Sequence, residues 1–352
     1  MEKNIYAPYA DELRRLDATG SLRVLPDGEQ EGKWITAGEC RMLNLSSNDY
    51  LGLAEDTALR DEFLNQTPPE AMRFSASSSR LLTGNFAEHR RLEQVLASLY
   101  GAEAALVFSS GYHMNAGILP ALADRRTLIL ADKLVHASLI DGLRLSAAKC
   151  MRFRHQDYDH LHALMTRHHA DFDRTIIVTE SVFSMDGDTA QLTRLVDLKL
   201  HFPGTLLYVD EAHAVGVRGR SGLGLAEEQD CLDGIDILCG TFGKALASVG
   251  AFAVCCRVIR DYLVNKMRTL IFTTALPPVN MAWTRFVIER LPDFSDQRER
   301  LSALSARLRE SFRQHGLSMP SESHIVPLIV GGSTDAVRTA VRMQRLGFYV
   351  LP

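Results

Sequence analysis

The stretch Ile237–Cys256, ILCGTFGKALASVGAFAVCC, contains a single charged residue, Lys244, among small and aliphatic side chains. A buried ammonium without a partner is costly and tends to lose its proton. A membrane-spanning helix would need about 20 mostly apolar residues, but three glycines and the lysine divide this stretch into two short apolar runs. Two interpretations stay open: Lys244 extends its head to water from a loop, or it is a Schiff-base nucleophile at a strand end, where small residues leave room for a flat cofactor.

The composition is that of a globular protein. The chain has 352 residues, of which 46% are hydrophobic and 23% charged, and this length predicts one large domain and a smaller one. Lys and Arg number 39 against 43 Asp and Glu, with the signs interspersed, so neither nucleic acid nor a membrane is an expected partner.

The N-terminal MEKNIYAPYADELRRL has no apolar signal core and none of the 6 cysteines forms a C-x-x-C pair, which together predict a cytoplasmic location.

Short apolar runs alternate with helical patterns from about Ala102 to Cys256. The predicted strands include AALVFSS, RTLILAD, CMRFRH, RTIIVTES, TLLYVDEAH and IDILCGTFGK. This alternation predicts an α/β fold with a mostly parallel sheet flanked by helices, in which ligands bind beyond the carboxyl ends of the strands. After Cys256, two amphipathic helices and the runs HIVPLIVGG and GFYVLP predict a smaller C-terminal α+β domain, with Pro277-Pro278 starting the linking helix. The predicted divisions are 1–45, 46–256 and 257–352.

An acid and a histidine follow the predicted strand TLLYVDEAH, at Asp210 and His213. A buried strand-end carboxylate needs a charge partner. The protonated pyridine nitrogen of pyridoxal 5'-phosphate (PLP) is one such partner, because an acid there keeps the ring able to accept electrons. His213 could then bond the phenolic oxygen of the ring. A strand cap for Asp210 and an ordinary loop position for His213 stay open as simpler explanations.

Other strand ends offer the remaining parts of a PLP site. In SSGYHMNAG, Gly111 and Tyr112 lie at a turn into a helix, where backbone N–H groups can hold a phosphate. Thr241 could add a hydroxyl to the same phosphate. His136, at a helix start, could stack on a flat ring, and Ser184, in the turn FSMDGD, could reach the ring. Each feature is weak alone, but together with the strand-end lysine they predict one PLP site.

Other chemistries lack their signatures. No G-x-G-x-x-G follows a predicted strand, so a dinucleotide-binding fold is not expected. GRSGLG around Ser221 is not a nucleophile elbow, since Leu223 stands where G-x-S-x-G needs glycine. HQDYDHLHALMTRHH holds five histidines but no H-E-x-x-H, and a helical register scatters them, so no metal site is predicted.

The motifs LNLSSNDYLGL, RLLTGN, DKLVHASLIDG, FSMDGD, VDEAH and GTFGKA stand together in this order. In them, and over nearly the whole chain, the sequence resembles the α-oxoamine synthases, which are PLP enzymes of the type I aminotransferase fold. The resemblance implies that Lys244 forms the Schiff base, Asp210 pairs with the pyridine nitrogen and His213 with the phenolic oxygen. It implies that His136 stacks on the ring and helps to align the substrate. The other implied contacts are Ser184 to a ring oxygen, Gly111 and Tyr112 at the cofactor pocket, Thr241 to phosphate, Thr273 or Thr274 to the phosphate of a neighbouring subunit, Arg23 to the acyl substrate and Asn48 near the amino-acid carboxylate.

The implied reaction is a decarboxylative condensation of L-alanine with a pimeloyl thioester, carried by CoA or a carrier protein, in a homodimer with shared active sites. Glycine C-acetyltransferase, or another synthase using glycine or serine, is the alternative within the family. A non-catalytic protein of the PLP fold is the alternative from another class. Two segments depart from the family pattern, SASSSR at 75–80 and AHAVG at 212–216. Because the family continues after GFYVLP, the small domain is expected to be incomplete at Pro352.

Overall fold

The computed structural model describes residues 4–352, so the first three residues of the predicted N-terminal segment lie outside the described part. The chain forms two compact units. One is Asp49–Pro327. The other combines Met1–Asn48, described from residue 4, with Leu328–Pro352. Each unit is considered by itself below.

Between Ala104 and Cys255 the strands and helices follow one another in the order that the alternation predicts. The strands are β1 (Glu29–Glu31), β2 (Trp34–Ala37), β3 (Cys40–Asn44), β4 (Ala104–Phe108), β5 (Thr127–Asp132), β6 (Lys149–Phe153), β7 (Arg174–Glu180), β8 (Thr205–Asp210), β9 (Ile237–Thr241), β10 (Ala251–Cys255) and β11 (Phe348–Tyr349). The helices are α1 (Ala7–Ala18), α2 (Thr57–Gln66), α3 (Ala87–Leu99), α4 (Gly111–Leu122), α5 (Ala137–Leu145), α6 (Tyr158–His168), α7 (Leu192–Leu200), α8 (Leu225–Glu228), α9 (Arg257–Lys266), α10 (Arg268–Ile271), α11 (Pro278–Glu289), α12 (Ser295–Gln314) and α13 (Ser333–Arg345).

The larger unit is built on a seven-stranded sheet in the order β4-β10-β9-β8-β7-β5-β6. The pairs from β9 to β6 are parallel, and β10 runs antiparallel to both of its neighbours. Every residue of β4, β5 and β10 is buried, as expected for strands covered on both faces. The structure therefore confirms the predicted mostly parallel sheet. Its parallel register brings the polar strand ends to one edge.

Local sequence explains how the helices at that edge begin. Ser110 caps α4, because its hydroxyl accepts from the backbone N–H of His113 at 3.1 Å. His136 caps α5 through its ring nitrogen Nδ1. Pro278 occupies the first position of α11, where its fixed backbone angle suits a helix start. The prediction that Pro277-Pro278 begins a helix is confirmed.

The observed units divide the chain differently from the prediction at Cys256. Thr269 donates to the carbonyl of His113 in α4 at 2.8 Å, and Trp283 donates to the carbonyl of Ala247 at 2.9 Å. These contacts place α10 and α11 in the same unit as the sheet. The helix predicted over VIRDYLVNKMRTLIF is interrupted at Met267, between α9 and α10.

The smaller unit contains a second sheet, in the order β1-β2-β3-β11. Strand β11 forms within the predicted run GFYVLP and pairs parallel to β3. The other predicted strand, HIVPLIVGG, is wrong, since residues 324–332 form no strand. Pro327 within that run lacks the N–H group that a sheet ladder requires. Within residues 4–352, no helix has the length and apolar character needed to cross a membrane.

Candidate active site

Lys244 lies in the turn between β9 and β10, with its side chain half-buried. Its Nζ is 2.7 Å from Nε2 of His213, and Nδ1 of the same ring is 2.7 Å from the Tyr50 hydroxyl. The turn is tight. Ala247 adopts a left-handed backbone (φ 46°), and its N–H donates to the Lys244 carbonyl at 3.0 Å. The turn thus places Lys244 at one end of a hydrogen-bonded chain that continues through His213 to Tyr50.

Asp210, at the end of β8, is 5% exposed. Its Oδ2 accepts from the Asn115 amide at 2.7 Å, and its Oδ1 accepts from the backbone N–H of Ala212 at 2.9 Å. Asn115 is fixed in turn by the Tyr208 hydroxyl, which donates to its Oδ1 at 2.6 Å. Both partners of the buried carboxylate are neutral. This is the arrangement in which a further cationic partner stabilises a buried acid.

Burial lowers the pKa of Lys244, although the carboxylates of Asp210 and Glu180 oppose this change. Burial also lowers the pKa of His213, to about 2, and the nearby Lys244 ammonium adds to the effect. His213 is therefore uncharged at neutral pH. A neutral imidazole has one donor and one acceptor nitrogen, so it can accept from a charged Lys244 or donate to an uncharged one, with Tyr50 completing the chain on its other side.

His136 lies at the neighbouring edge position, exposed, with its Nδ1 2.8 Å from the Ser138 hydroxyl. Its backbone N–H donates to the buried carboxyl group of Glu180, at the end of β7. Glu180 is also the register partner of Asp210 in the sheet. Burial, with a contribution from Asp210, raises the pKa of Glu180 to about 8. The stacking role predicted for His136 stays a prediction, but its backbone is anchored beside the Lys244 site.

The structure also brings together two of the residues predicted to contact phosphate, Gly111 and Thr241. Gly111 opens α4, and a Cβ added there would lie 3.8 Å from Thr241 Oγ1, so the two predicted residues are neighbours. Thr241 donates to the Gly250 carbonyl at 3.0 Å. Tyr112 is exposed, with its hydroxyl donating to Asp141 of α5. The first backbone N–H groups of α4 have no partner within the helix and suit an anion.

For the remaining predicted residues, the structure gives a position in the fold but no contact with the Lys244 site. Ser184 is half-buried in the turn after β7. Thr273 and Thr274 follow α10 and line a small cavity next to His89. Arg23 and Asn48 belong to the smaller unit, and Arg23 is exposed. Their predicted substrate contacts stay predictions.

Sequence reasoning missed several members of the network. Tyr50 lies in LNLSSNDYLGL, one of the motifs that carry the family resemblance, but the motif by itself assigns no role to the tyrosine. Asn115 stands four residues after Gly111, on the same helical face, and that spacing could have indicated it. Glu180 ends the apolar run of the predicted strand RTIIVTES and is given no role by the sequence pattern. His324 packs edge-on against Tyr50, with ring centroids 4.2 Å apart, and gave no signal in the sequence.

The chemistry of the donor set fits PLP. An amine of lowered pKa suits Schiff-base formation. A buried carboxylate with neutral partners suits a pyridinium nitrogen, and a helix start beside a threonine hydroxyl suits a phosphate. Lys244, Asp210, His213, Gly111 and Thr241 would hold the cofactor. Fold and site together define a PLP enzyme of the type I aminotransferase fold.

Comparison with known proteins agrees with this class. The family model described as aminotransferase class I and II matches residues 41–352. A relative from Pasteurella multocida, provisionally named 8-amino-7-oxononanoate synthase, is 55% identical over 98% of this chain and 89% of its own length. A relative of the same provisional name from Neisseria meningitidis is 54% identical over 98% of this chain and 90% of its own length.

Solved structures give the same picture. Serine palmitoyltransferase from S. paucimobilis, solved with bound PLP-myriocin, has a TM-score of 0.88 at 27% identity and covers 99% of this chain and 90% of its own. The 8-amino-7-oxononanoate synthase of Francisella tularensis has a TM-score of 0.75 at 28% identity, covering 88% and 87%. The chain belongs to the aminotransferase class I and II family and, within it, to the α-oxoamine synthases. It is a PLP-dependent acyltransferase.

Proposed function

We propose that the protein condenses L-alanine with a pimeloyl thioester to give 8-amino-7-oxononanoate, CO2 and a free thiol, a step of biotin biosynthesis. One observation carries the chemistry: the half-buried Lys244 places its Nζ 2.7 Å from the uncharged His213 ring, and the Asp210 carboxylate nearby has neutral hydrogen-bond partners. The provisional names of relatives with 54–55% identity support the choice of substrates.

Each residue has a definite task in this reaction. PLP, when bound, supplies the electron sink that stabilises a carbanion at the amino-acid Cα. Asp210 would hold the cofactor through its pyridine nitrogen and keep that nitrogen protonated. Lys244 moves the Cα proton, and its lowered pKa makes the uncharged amine accessible nearer neutral pH. His136, anchored through its backbone to Glu180, orients the amino acid.

His213 and Tyr50 manage the proton at Lys244. When Lys244 Nζ is uncharged, His213 can donate to it from Nε2 while Tyr50 donates to Nδ1. When Nζ is charged, it donates to Nε2 of His213, and Nδ1 of His213 then donates to the Tyr50 hydroxyl oxygen. Because burial keeps His213 from taking a charge itself, the proton stays on the lysine rather than on the ring. His213 and Tyr50 can therefore hydrogen-bond Lys244 in both its charged and its uncharged form, which allows the lysine to act as acid and as base.

The proposal includes a homodimer with shared active sites. Phe74, Leu82 and Phe272 are large apolar side chains that are 79%, 78% and 71% exposed. Their segments meet within the larger unit, where the Ala275 N–H donates to the Ser78 carbonyl at 2.9 Å. Covering this face with a second copy would remove apolar surface from water. Light scattering should give twice the chain mass, and a Phe272→Glu, Leu82→Glu double variant should be monomeric.

The direct test is spectroscopic. The protein reconstituted with PLP is tested with L-alanine, glycine and L-serine in turn, and then with pimeloyl-CoA or pimeloyl carrier protein, while visible absorbance and product mass are followed. We expect a spectral response to L-alanine and a product of the 8-amino-7-oxononanoate mass. Palmitoyl-CoA with L-serine forms a further arm, because serine palmitoyltransferases share the fold.

Two controls make the result decisive. Lys244→Ala removes the proposed nucleophile, and His162→Gln changes an exposed histidine of α6 outside the site. Borohydride treatment followed by peptide mapping should find a pyridoxyl adduct on Lys244 of the parent and of His162→Gln. A response confined to glycine or serine would establish the alternative synthases. A colourless parent without the adduct would point to the non-catalytic protein.

A further inference from the structure

Three segments meet beyond the ends of β5 and β7, and two of them carry His136 and Ser184, which are predicted to contact the cofactor ring. The first, 132–136, leads from the end of β5 to His136. The second, 153–157, follows β6. The third, 181–190, is the turn that carries Ser184 and is closed by a bridge between Val182 and Thr189. His155, in the second segment, contacts both of the others.

The His155 ring is hydrogen-bonded at both nitrogens. Its Nδ1 is 2.8 Å from Oδ1 of Asp132, and its Nε2 is 2.7 Å from Oδ2 of Asp188. Two carboxylates require two donors, and only the protonated ring supplies them. Burial opposes that charge, but the hydrogen bonds to Asp132 and Asp188 outweigh it and raise the pKa of His155 to about 10.

The two aspartates also shape the segments in which they lie. Asp132 is 1% exposed, and its Oδ1 accepts from the backbone N–H of Leu134 at 2.8 Å, two residues before His136. Asp188 offers its carbonyl to the N–H of Phe183 at 3.0 Å, which closes the turn around Ser184. The Asp132 carboxylate is thus fixed to the backbone of the His136 segment, and Asp188 closes the Ser184 turn through its own backbone while its carboxylate faces His155.

His155 also makes an apolar contact with the Ser184 turn. Its ring packs edge-on against Phe183, with centroids 4.5 Å apart and planes at 88°. Phe183 is 1% exposed and directly precedes Ser184. The imidazole therefore limits where the backbone of Ser184 can lie, both through Asp188 and through Phe183.

We propose that His155 is a positioning residue that joins the segments bearing His136 and Ser184 and so sets how these two residues meet the cofactor. The inference rests on the proposed function, because it takes both residues as cofactor contacts. In this role His155 acts through the two segments and not by its own contact with cofactor or substrate. Its loss should disturb the environment of bound PLP through Ser184, while Lys244 keeps its ability to bond the cofactor.

The same side chains could instead bind a metal ion, and the test must distinguish metal binding from the positioning role. His155, Asp186 and Asp188 have potential ligand atoms within 4.8 Å of one another. A cation there would need Nε2 as a ligand, whereas that nitrogen already faces Asp188 in a hydrogen bond. A chelator that lowered the PLP affinity of the parent protein to that of a His155 variant would overturn the positioning role.

The test is a double-mutant cycle of His155→Gln and Ser184→Ala in the full chain, read by PLP affinity and by the visible absorbance of the bound cofactor. His162→Gln is the matched control on α6. We expect His155→Gln to weaken PLP binding about tenfold, in the range of coupling between residues of one network, and to shift the absorbance band. In the Ser184→Ala background the same change should have an effect of less than about twofold.

Effects that multiply fully in the double variant would contradict the inference, because His155 would then act independently of Ser184. If His155→Gln fails to fold, Asp188→Asn replaces it in an equivalent cycle with the same two outcomes. These measurements need no amino acid or acyl substrate. A wrong substrate assignment would leave them intact, whereas additivity would overturn the positioning role alone.

Discussion

Two aspartate–histidine groups stand at the same edge of the sheet and differ in charge. At the end of β8, Asp210 has neutral partners, and the nearby His213 is uncharged, with a pKa lowered to about 2. At the end of β5, Asp132 binds His155 directly, and the pKa of that histidine is raised to about 10. The residue types are the same and both groups lie next to strand ends.

Burial and the third partner together explain the difference. Burial is the main cause of the lowered pKa of His213, and the Lys244 ammonium that it faces adds to the effect. His155 faces Asp188, a second anion that favours the positive charge. The first group therefore combines a carboxylate whose hydrogen-bond partners are neutral with the Lys244–His213–Tyr50 hydrogen-bonded chain, which suits chemistry. The second is a satisfied ion network, which suits fixing a backbone.

The largest effect is expected from a substitution in the group at the end of β8, which contains Asp210, His213 and Lys244. Lys244→Ala should lower the turnover rate by on the order of 10⁴-fold or more, since it removes both nucleophile and base. It should also raise the pKa of His213, because the ammonium that lowers it is gone. Steady-state assays measure the first effect, and titration of the His213 ring by NMR measures the second. More than about 1% residual turnover would contradict the assignment.

A matched pair of substitutions should separate the two groups by stability. Asp132→Asn leaves a charged, partly buried His155 with one partner fewer and should lower the unfolding free energy by about 3 kcal/mol. Asp210→Asn removes a buried charge whose partners are neutral, and should change it by less than about 1 kcal/mol. Urea unfolding of the PLP-free proteins gives both values. Equal losses would show that the groups do not differ as described.

The pH dependence of stability should report the His155 network. The folded-state pKa of His155, about 10, exceeds its ordinary value of 6.5, so the stabilisation is complete below pH 6.5 and is lost as pH rises toward 10. The parent should therefore lose unfolding free energy over that window. His155→Gln should flatten the decline, and His162→Gln should not. An unchanged slope in His155→Gln would argue against a charged His155.

The smallest effect is expected at Tyr50. Tyr50→Phe removes the hydroxyl that lies 2.7 Å from His213 while keeping the ring. Losing one such hydrogen bond is worth about 0.5–1.5 kcal/mol, so turnover should fall roughly 2- to 10-fold. PLP affinity should hold. Comparing kcat and PLP titrations of this variant with the parent checks both points, and a loss of PLP binding without a change in kcat would place Tyr50 outside the proton chain.

Prediction from the sequence succeeded where the signal was local or periodic. The strand carrying Asp210 and the turn carrying Lys244 follow from apolar runs that end in small or polar residues. Prediction failed where contacts between distant segments decide whether a strand forms or where a domain ends. HIVPLIVGG reads as a strand but forms none. The boundary expected at Cys256 is absent, because α10 and α11 pack into the sheet unit.

The chain's own order of residues determined which chemical groups stand at strand ends, because alternation and side-chain type are readable one residue at a time. It also carried the family resemblance that the comparisons confirm. Only the tertiary structure decided which histidine is charged. His213 and Lys244 are 31 positions apart, and His155 and Asp188 are 33 apart. A pKa depends on neighbours in space, and folding alone selects them.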